Sequence, residues 1–595
     1  MQLSKGEVIE IKDDMFDFDF NEIEVLNIKH SKERGVFDIT TETGFFQDSN
    51  GVLYKNCSAH SLRAIAMHGL GKFFSFDVKS NPAAHAQTLI GHLNTFMCTI
   101  SSYYAGAIGI DAVNVYLAPY LEGMDKKKMK QIAQYLIFSL SQSAFSRGGQ
   151  VLFSDLNLFI SIPEWLKKIQ AVGPRGELLT KVVDGETVPK TYSDYEKISR
   201  EFLLTMLEVW KEGDACGAPM AFPKADLHVS DNEFKDPEAK KVLEYACEVA
   251  SHNGAIYFIF DKDAAMLSAC CRLRTKVDSA YLTEPERIRF VGFQNVSISL
   301  PQCAYRSGGD KKKFLSEIKH SMDLAMKAHL QKKAFISKLG SDRGSPLYPL
   351  LTEKYFDGEP YVDLEKATYI FGLVGLNEAV QFVYGKELHE SEDAHEYGLD
   401  VITSMYLRLQ QYKEKHGLNV VLEESPAEST ARRLAKVDII RYPESSDFVR
   451  GNKDNGDVFY TNSIHFRADS NVDIVNRIVK QSEFHPLIEA GAIIHLFVQD
   501  NMPSPQSIFS LVEKTYKNTE CAQWCISPEF TICKSCSTTS YGLNEKCMNC
   551  GNAEVKHMSR VVGYYSIIEN WNASKKEENQ DRHKGDYIIK ENSNE

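Results

Sequence analysis

Short apolar runs alternate with longer amphipathic stretches through most of this chain, and that alternation restricts the possible folds more than any other feature. The runs "GAIYFIF" (254–260), "RFVGFQNVSISLP" (289–301) and "GAIIHLFV" (491–498) have the length and the β-branched and aromatic content of buried strands. Stretches such as "KKKMKQIAQYLIFSLS" (126–141) carry apolar residues at helical spacing. Strands that alternate with helices predict an α/β architecture for residues 57–519.

Composition and charge exclude several classes of protein. The chain has 595 residues, 43% hydrophobic and 25% charged, which is typical of a globular protein with a large core. No apolar run is long enough for a membrane span and no secretory signal follows Met1, so we expect a cytoplasmic protein without a membrane partner. The net charge of −13 argues against a general nucleic-acid binder. Thirteen cysteines in such a chain indicate metal-binding, redox or catalytic thiols and not a disulfide framework.

The composition changes along the chain and indicates four segments. Residues 1–56 contain β-branched stretches separated by turn residues, which predict a small β-rich unit. Residues 57–519 form the α/β segment, and residues 520–555 are rich in cysteine and loop-like. Residues 556–595 end in a charged, polar tail. We therefore expect one large α/β domain with small units at both ends.

Four cysteines of the third segment form two C-x-x-C pairs. Cys533 and Cys536 belong to "CKSC", and Cys547 and Cys550 belong to "CMNC". Two such pairs on a short loop can close a tetrahedral thiolate site, and because protein sulfurs fill all four positions, we expect a structural zinc ion. A redox pair would need only one C-x-x-C. Four unconnected buried thiols would need apolar surroundings that this segment lacks.

A glycine-containing segment, "SRVVGYYSIIENWN" (559–572), follows the cysteines and places Gly563 between Arg560 and two tyrosines. By itself, a glycine in such a position is typical of a turn or a bulge. An R-V-x-G-Y sequence behind a four-cysteine ribbon, however, strongly resembles the glycyl-radical segment of anaerobic, class III ribonucleotide reductases. The resemblance implies that Gly563 stores the radical, since an α-carbon without Cβ can flatten and share the electron with its flanking amides. It also implies a ten-stranded α/β barrel of the glycyl-radical type.

Two further motifs resemble the thiol-bearing segments of that family. "SACCRLR" (268–274) follows an apolar strand, and its Cys271 matches the cysteine that, as a thiyl radical, removes the 3′ hydrogen of the ribose. "CSAHSL" (57–62) resembles the segment with the second active-site cysteine. This implies that Cys57 helps to protonate and reduce the 2′ position, with a free buried thiol as the alternative.

A Ser-Pro-Ala-Glu turn resembles the loop with which the family holds substrate phosphate. In "ESPAEST", this implies that Ser425, Ala427 and Glu428 bind the substrate beside the start of a helix.

The stretch "NVSISLPQ" departs from the family pattern at two positions. Ser299 stands where the family often has an asparagine that contacts the sugar hydroxyls, and Gln302 stands where it often has an arginine. A serine can both donate and accept a hydrogen bond but reaches less far. The electron donor therefore stays open between formate, which many relatives use, and a thiol redox protein.

Taken together, the resemblance implies an oxidoreductase that reduces ribonucleoside triphosphates to deoxyribonucleoside triphosphates without oxygen. It implies a radical-SAM activase as partner, with S-adenosylmethionine and an iron–sulfur cluster, dNTP and ATP effectors, and a homodimer. Two alternatives stay open. Another glycyl-radical enzyme, such as an acyltransferase or a lyase, would share Gly563 and a thiyl cysteine. A non-catalytic zinc-ribbon binding protein would need only the four cysteines. The ribbon and the Ser-Pro-Ala-Glu turn together favour the reductase.

The start of the chain resembles a different family. "VFDITTETGFFQDSNGVLYKNC" (36–57) is similar to the C-terminal end of an intein, in which a final asparagine precedes a nucleophilic residue. The resemblance implies that Cys57 attacks the upstream thioester and that Asn56 cyclises to release residues 1–56. Lys55 stands where inteins usually have histidine, and an ordinary β-rich domain is the alternative. We therefore expect a split-intein half that splices to a separately encoded N-terminal fragment.

Overall fold

The computed structural model describes most of the chain after residue 56. It covers residues 57–71, 73, 78–104, 106–142, 151–262, 266–268, 274–276, 279–498 and 502–583, together with two strands, Val8–Glu10 and Glu22–Glu24. For those two strands and for residues 266, 274–276, 279 and 280, the structure describes the backbone alone. The two N-terminal strands pair antiparallel. The rest of the β-rich unit expected at residues 1–56 lies outside the described residues.

Ten strands form one sheet that organises the molecule. In chain order they are β1 Ser58–His60, β2 Ile108–Ile110, β3 Ser154–Phe159, β4 Lys224–Val229, β5 Ile256–Phe260, β6 Arg289–Ser299, β7 Thr368–Val374, β8 Asn419–Glu424, β9 Ile494–Phe497 and β10 Gln523–Ser527. Their order across the sheet is β8-β7-β6-β1-β2-β3-β4-β5-β10-β9. Three of the strands coincide with the apolar runs that the sequence predicts as buried strands.

The sheet is mostly parallel and consists of two halves. Strands β1 to β5 are mutually parallel, as are β6 to β8 and the pair β9 and β10. Antiparallel pairs join the halves, β1 with β6 and β5 with β10. The edges approach each other where the Ala490 amide donates to the Leu422 carbonyl at 2.9 Å and the Glu424 amide donates to Gly491. The ten-stranded α/β fold is therefore confirmed, and the sheet curls into a barrel.

Helices make the connections that parallel strands require. Those of nine residues or more are Ala86–Ile100, Lys126–Gln142, Glu196–Glu212, Pro237–Asn253, Lys311–Ser341, Leu376–Tyr384, Glu392–His416, Thr430–Arg441, Ile474–Ser482, Pro505–Asn518 and Ala573–Asp581. Shorter ones are Leu62–His68, Val113–Leu117, Glu164–Lys167, Asn232–Lys235, Ser279–Thr283, Leu300–Ser307 and Tyr348–Thr352. Within the described part of the chain, none of these helices is long and apolar enough to cross a membrane.

Side chains of opposite character point to the two faces of the sheet. Along β4, Ala225, Leu227 and Val229 pack in the large apolar cluster that the sheet shares with its helices. Lys224 and Asp226 alternate with them and are equally buried. Because successive residues of a strand point to opposite faces, the charged pair lies on the inner face of the barrel. The inner face of β4 is thus charged, while its apolar side chains pack outside the barrel.

A four-stranded antiparallel sheet follows the barrel. Its strands are β11 Phe530–Cys533, β12 Thr539–Tyr541, β13 Val555–Arg560 and β14 Tyr565–Ile567, in the order β12-β11-β13-β14. The last barrel strand ends at Ser527, beyond the boundary expected at residue 519. The boundary expected at residue 519 is therefore too early, since Cys521 and Cys525 of "CAQWCISP" are buried in clusters with barrel residues and not in the ribbon. The cysteine-rich unit therefore begins at β11.

Candidate active site

Gly563 lies in the four-residue loop 561–564 between β13 and β14, and this loop packs against the inner face of the barrel. Tyr257, on β5, donates a hydrogen bond from its hydroxyl to the Gly563 carbonyl at 2.6 Å. His495, on β9, donates from Nε2 to the neighbouring Val562 carbonyl at 3.0 Å. Gly563 is buried. Two strands of the barrel thus hold the loop by its backbone.

Arg560 connects this loop to the barrel. Its guanidinium is 1% exposed and lies between the rings of Tyr257 and Tyr565, 4.5 and 4.1 Å from their centroids. It donates to the Ile526 carbonyl at 3.0 Å, to the Gly254 carbonyl and to the Tyr257 hydroxyl at 3.1 Å. A planar guanidinium that donates to several acceptors fixes the end of β13, and with it the loop that follows.

The segment that follows the helix Ala573–Asp581 covers the loop from the other side. Arg582, just beyond the helix Ala573–Asp581, donates to the carbonyls of Arg560 at 2.8 Å and Val561 at 3.0 Å. The same guanidinium pairs with Glu578 and lies 4.3 Å from the centroid of the Phe497 ring. The loop is therefore enclosed between the barrel and the C-terminal helix.

The expected phosphate loop contacts the glycine loop. Ser425, Ala427 and Glu428 lie between β8 and the helix Thr430–Arg441, with Ser425 and Ala427 buried. Tyr564, the residue after Gly563, donates from its hydroxyl to Glu428 Oε1 at 3.1 Å. The structure thus brings together two motifs that are 136 residues apart in the chain.

Ser425 also belongs to a polar cluster that the sequence analysis missed. Its hydroxyl lies 3.0 Å from Ser297 Oγ and 3.4 Å from Asn295 Nδ2, and the Asn295 amide also donates to Glu423. Ser299, the expected sugar contact, accepts the backbone amide of Gln302 at 3.4 Å as N-cap of the helix Leu300–Ser307. Only the alternation of "NVSIS" could have indicated that these side chains share the inner face.

Gln302, at the position where the family often has arginine, bonds to an acid. Its amide donates to Asp438 Oδ1 at 2.6 Å, and the Tyr460 hydroxyl donates to Asp438 Oδ2 at 2.9 Å. Burial raises the pKa of the Asp438 carboxyl to about 6. A neutral glutamine does not form an ion pair with this carboxylate, so the acid remains sensitive to pH near neutrality.

Cys57 lies at the barrel wall, directly before β1. Its thiol is buried, and Sγ accepts the Ala107 amide at 3.3 Å. The Gly292 amide donates to the Cys57 carbonyl at 3.0 Å, which ties the residue to β6. Asn56 lies outside the described residues.

Cys271 also lies outside the described residues, but the short strand Met266–Ser268 before it is firmly held. Asn157, on β3, accepts the Ser268 amide at 2.7 Å and donates to the Ser268 carbonyl at 2.9 Å. His228 on β4 donates to Asn157 Oδ1 at 2.9 Å, and its Nδ1 lies 2.6 Å from Asp261 Oδ2. This chain of hydrogen bonds fixes the backbone three residues before Cys271.

A buried charged cluster lies beside Tyr257. Lys224 Nζ is 3.2 Å from Asp155 Oδ1 and 3.3 Å from Asp226 Oδ1, and it lies 4.2 Å from the centroid of the Tyr257 ring. Burial raises the pKa of the Asp226 carboxyl, although the nearby ammonium group opposes that shift. The sequence does not predict these residues, since alternating polar residues in a short strand are also typical of a solvent-exposed face.

The four ribbon cysteines have the geometry of a metal site. Their sulfurs all lie within 4.8 Å of one another, with 3.6 Å between Cys533 and Cys550 and between Cys536 and Cys547. Zn–S bonds of about 2.3 Å at tetrahedral angles place sulfurs about 3.8 Å apart, whereas a disulfide bond is about 2.0 Å long. All four are free cysteines. The residues therefore fit a zinc ion.

Comparison with known proteins identifies the family. The model of the anaerobic ribonucleoside-triphosphate reductase family matches residues 45–584. The chain belongs to this family. The match begins inside the segment that resembles an intein, and the intein resemblance itself is not shown by any of the comparisons.

Individual relatives of this reductase family are distant. The Salmonella typhimurium anaerobic ribonucleoside-triphosphate reductase is 25% identical over 311 residues, which are 48% of this chain and 41% of that protein. The chain thus matches less than half the length of this curated relative. The Thermotoga maritima anaerobic ribonucleotide reductase, solved with dATP and CTP, has a similar fold, with a TM-score of 0.68 and 19% identity. That similarity covers 89% of this chain and 82% of the other.

A second class of solved structure shares the fold less closely. The Roseburia inulinivorans protein of 1,2-propanediol dehydration gives a TM-score of 0.53 at 9% identity, over 85% of this chain and 68% of that protein. The fold is therefore similar to that of a dehydratase as well, but the family match and the higher TM-score both point to the reductases.

Proposed function

We propose that this chain provides the catalytic barrel of an anaerobic reductase that converts ribonucleoside triphosphates to deoxyribonucleoside triphosphates by glycyl and thiyl radical chemistry. The observation that carries the proposal is the enclosure of Gly563 in the barrel, with its carbonyl bonded to Tyr257. A simple turn glycine needs no such cover. A stored radical does, because it must be kept from oxygen and from stray hydrogen donors.

A radical-SAM activase that uses S-adenosylmethionine and an iron–sulfur cluster would install the radical at Gly563. This radical would supply the unpaired electron for catalysis. Cys271 would pass a hydrogen atom to Gly563 and then accept the 3′ hydrogen of the ribose. The 2′ hydroxyl would leave as water after protonation, assisted by Cys57. Two electrons are needed overall, from formate or from a thiol redox protein.

The backbone anchor at Ser268 supports the role of Cys271. A hydrogen-transferring thiol must stay within contact distance of both its partners, and a rigid base is required for that. Asn157 satisfies both backbone groups of Ser268, and His228 and Asp261 hold the Asn157 amide. These bonds would therefore provide the fixed backbone that the proposed role of Cys271 requires.

Substrate binding is assigned to the loop after β8. Backbone amides ahead of the helix Thr430–Arg441 would hold phosphate at Ser425, Ala427 and Glu428. Ser299, as a helix cap, would contact the sugar less directly than Asn295, whose amide already bonds to Glu423 on the inner face. We therefore add Asn295 to the candidate sugar contacts.

The remaining partners follow from the family. The Thermotoga maritima protein was solved with dATP and CTP, which supports nucleotide substrates and dNTP or ATP effectors for this chain as well. We also propose a homodimer, a zinc ion on Cys533, Cys536, Cys547 and Cys550, and a cytoplasmic location. The proposed units are residues 1–56, the barrel, the ribbon from Phe530 and the radical loop with its tail.

Exposure of the activated protein to air tests the radical assignment directly. Oxygen reacts with a glycyl radical at its α-carbon and breaks the chain there, so a fragment from about residue 564 to residue 595 should appear. Gly563→Ala should lose both the electron-spin-resonance signal and the cleavage. Cys271→Ser should keep both but lose reduction. Intact wild-type chain after activation and air would refute the assignment.

A second proposal concerns the start of the chain. Asn56 and Cys57 would perform protein trans-splicing with a matching N-terminal intein half, so that Cys57 serves first in splicing and afterwards in reduction. Mixing the two halves should release residues 1–56 and give a longer ligated product in mass spectrometry. Asn56→Ala should block the release. If residues 1–56 stay attached in the wild-type mixture, the segment is not an active intein.

A further inference from the structure

Tyr257 occupies a position that its neighbours make chemically unusual. The side chain is buried on the inner face of β5, and its hydroxyl bonds to two groups of the glycine segment. It donates to the Gly563 carbonyl at 2.6 Å and accepts from Arg560 Nε at 3.1 Å. A hydroxyl that accepts from a cation becomes a stronger donor at its own hydrogen.

Two cations also lie near the ring. The Arg560 guanidinium carbon is 4.5 Å and Lys224 Nζ is 4.2 Å from the Tyr257 ring centroid. Positive charge near an aromatic ring draws electron density from it. The phenol, which accepts from the Arg560 guanidinium, is therefore a good hydrogen-bond donor to the carbonyl of Gly563.

The bonded carbonyl takes part in the chemistry of a glycyl radical. When a hydrogen atom leaves the Gly563 α-carbon, the remaining electron is shared between the amide nitrogen, which gives density, and the carbonyl, which withdraws it. A hydrogen bond to the carbonyl oxygen strengthens this withdrawal. The hydrogen atom goes to a thiyl sulfur, where an S–H bond forms as the C–H bond breaks, and the return step reverses both changes.

We propose that Tyr257 is a positioning residue that orients and polarises the Gly563 carbonyl. It thereby shifts the hydrogen-transfer equilibrium between thiol and glycine towards the glycyl radical. The inference rests on the proposed radical at Gly563. It assigns different roles to the neighbouring side chains. His495 bonds to the preceding carbonyl, Tyr564 bonds to Glu428, and the Tyr565 hydroxyl donates to the Asn253 carbonyl at 3.0 Å.

The test compares two variants that each lose one buried hydroxyl. Tyr257→Phe removes the donor to Gly563, whereas Tyr565→Phe removes a hydroxyl on the other side of Arg560 and keeps the ring that stacks on it. Both proteins are labelled with [1-¹³C]glycine, activated anaerobically and measured by electron spin resonance. We expect the ¹³C splitting from the Gly563 carbonyl to change in Tyr257→Phe and to match wild type in Tyr565→Phe.

A kinetic measurement provides a second readout. Added dithiothreitol donates hydrogen atoms, and the radical signal of Tyr257→Phe should decay about fivefold faster, the change that a net hydrogen bond of about 1 kcal/mol produces. Hydrogen exchange of the resting protein should show the same protection for residues 566–583 in both variants. Unchanged splitting and unchanged decay in Tyr257→Phe would overturn the inference.

Two further outcomes are distinguishable. If wild-type protein gives no glycine-centred signal, the proposed function fails, whatever Tyr257 does. If Tyr257→Phe does not fold or does not activate, 3,5-difluorotyrosine at position 257 decides instead. It keeps the shape and is a stronger donor, so its ¹³C splitting should change and its decay with dithiothreitol should be slower than wild type. A ¹³C splitting and a decay rate that both equal the wild-type values would overturn the inference.

Discussion

Replacing Arg560 with alanine should release the loop 561–564 from the barrel while the barrel itself stays folded. The guanidinium is 1% exposed, and it donates to two backbone carbonyls that belong to the barrel, those of Ile526 and Gly254. Its loss removes the donors of both carbonyls. It also removes the group that lies between the rings of Tyr257 and Tyr565.

The free energy lost in Arg560→Ala can be estimated from these contacts. Hydrogen bonds to a charged group contribute about 1.5–3 kcal/mol each, so two of them contribute roughly 3–6 kcal/mol. Stacking on two rings adds about 1–2 kcal/mol, and relief from burying the charge offsets part of the sum. We expect a net loss of about 3–5 kcal/mol, confined to the hairpin of β13 and β14. A loss of about 3 kcal/mol corresponds to roughly a hundredfold faster amide exchange in the loop.

Hydrogen exchange with mass spectrometry measures the release of the loop 561–564 directly. Peptides that contain residues 561–565 should exchange about a hundredfold faster in Arg560→Ala, whereas peptides from β3 and β4 should not change. Arg560→Lys keeps the charge but not the planar fork, so its exchange should be intermediate. Lys556→Ala is the matched control, because Lys556 is an exposed cation on the same strand. If Arg560→Ala exchanges at the wild-type rate, the proposed clamp does not hold the loop.

Three further outcomes are expected. Cys547→Ser should bind less than one-tenth of the wild-type zinc in metal analysis, and full zinc content would contradict the site. The variant should also loosen β13, since β13 pairs with β11, which carries Cys533. Asp438→Asn should remove a pH dependence. Because the pKa of the Asp438 carboxyl is raised from 3.8 to about 6 in the folded protein, the wild-type free energy of unfolding should fall by about 2 kcal/mol more than the variant's between pH 4 and pH 7 in urea titrations. Asn157→Ala leaves two buried backbone groups of Ser268 unpaired, at about 1–3 kcal/mol each, and should abolish nucleotide reduction while the radical signal persists; reduction at the wild-type rate would show that the anchor is not needed.

Local sequence patterns determined the parts of this protein that depend on near neighbours. The apolar runs at 254–260, 289–301 and 491–498 became barrel strands because β-branched and aromatic residues suit a buried extended backbone. The two C-x-x-C pairs predicted a metal site from their spacing alone, whereas the folded ribbon brings the pairs together, with 3.6 Å between the sulfurs of Cys533 and Cys550. Family membership followed from motifs in a fixed order, although the roles of Gly563, Cys271 and Cys57 remain predictions.

Only the tertiary structure decided which side chains meet at the site. Tyr257 and Gly563 are 306 residues apart, and no local pattern marks a strand tyrosine as the partner of a distant glycine. Ser299 stands where the family often has asparagine, and its hydroxyl caps the helix that follows, whereas Asn295 lies in the polar cluster with Glu423. The physical reason is that spacing along a chain determines which face a side chain occupies. The order and curvature of the ten strands determine what that face meets across the barrel.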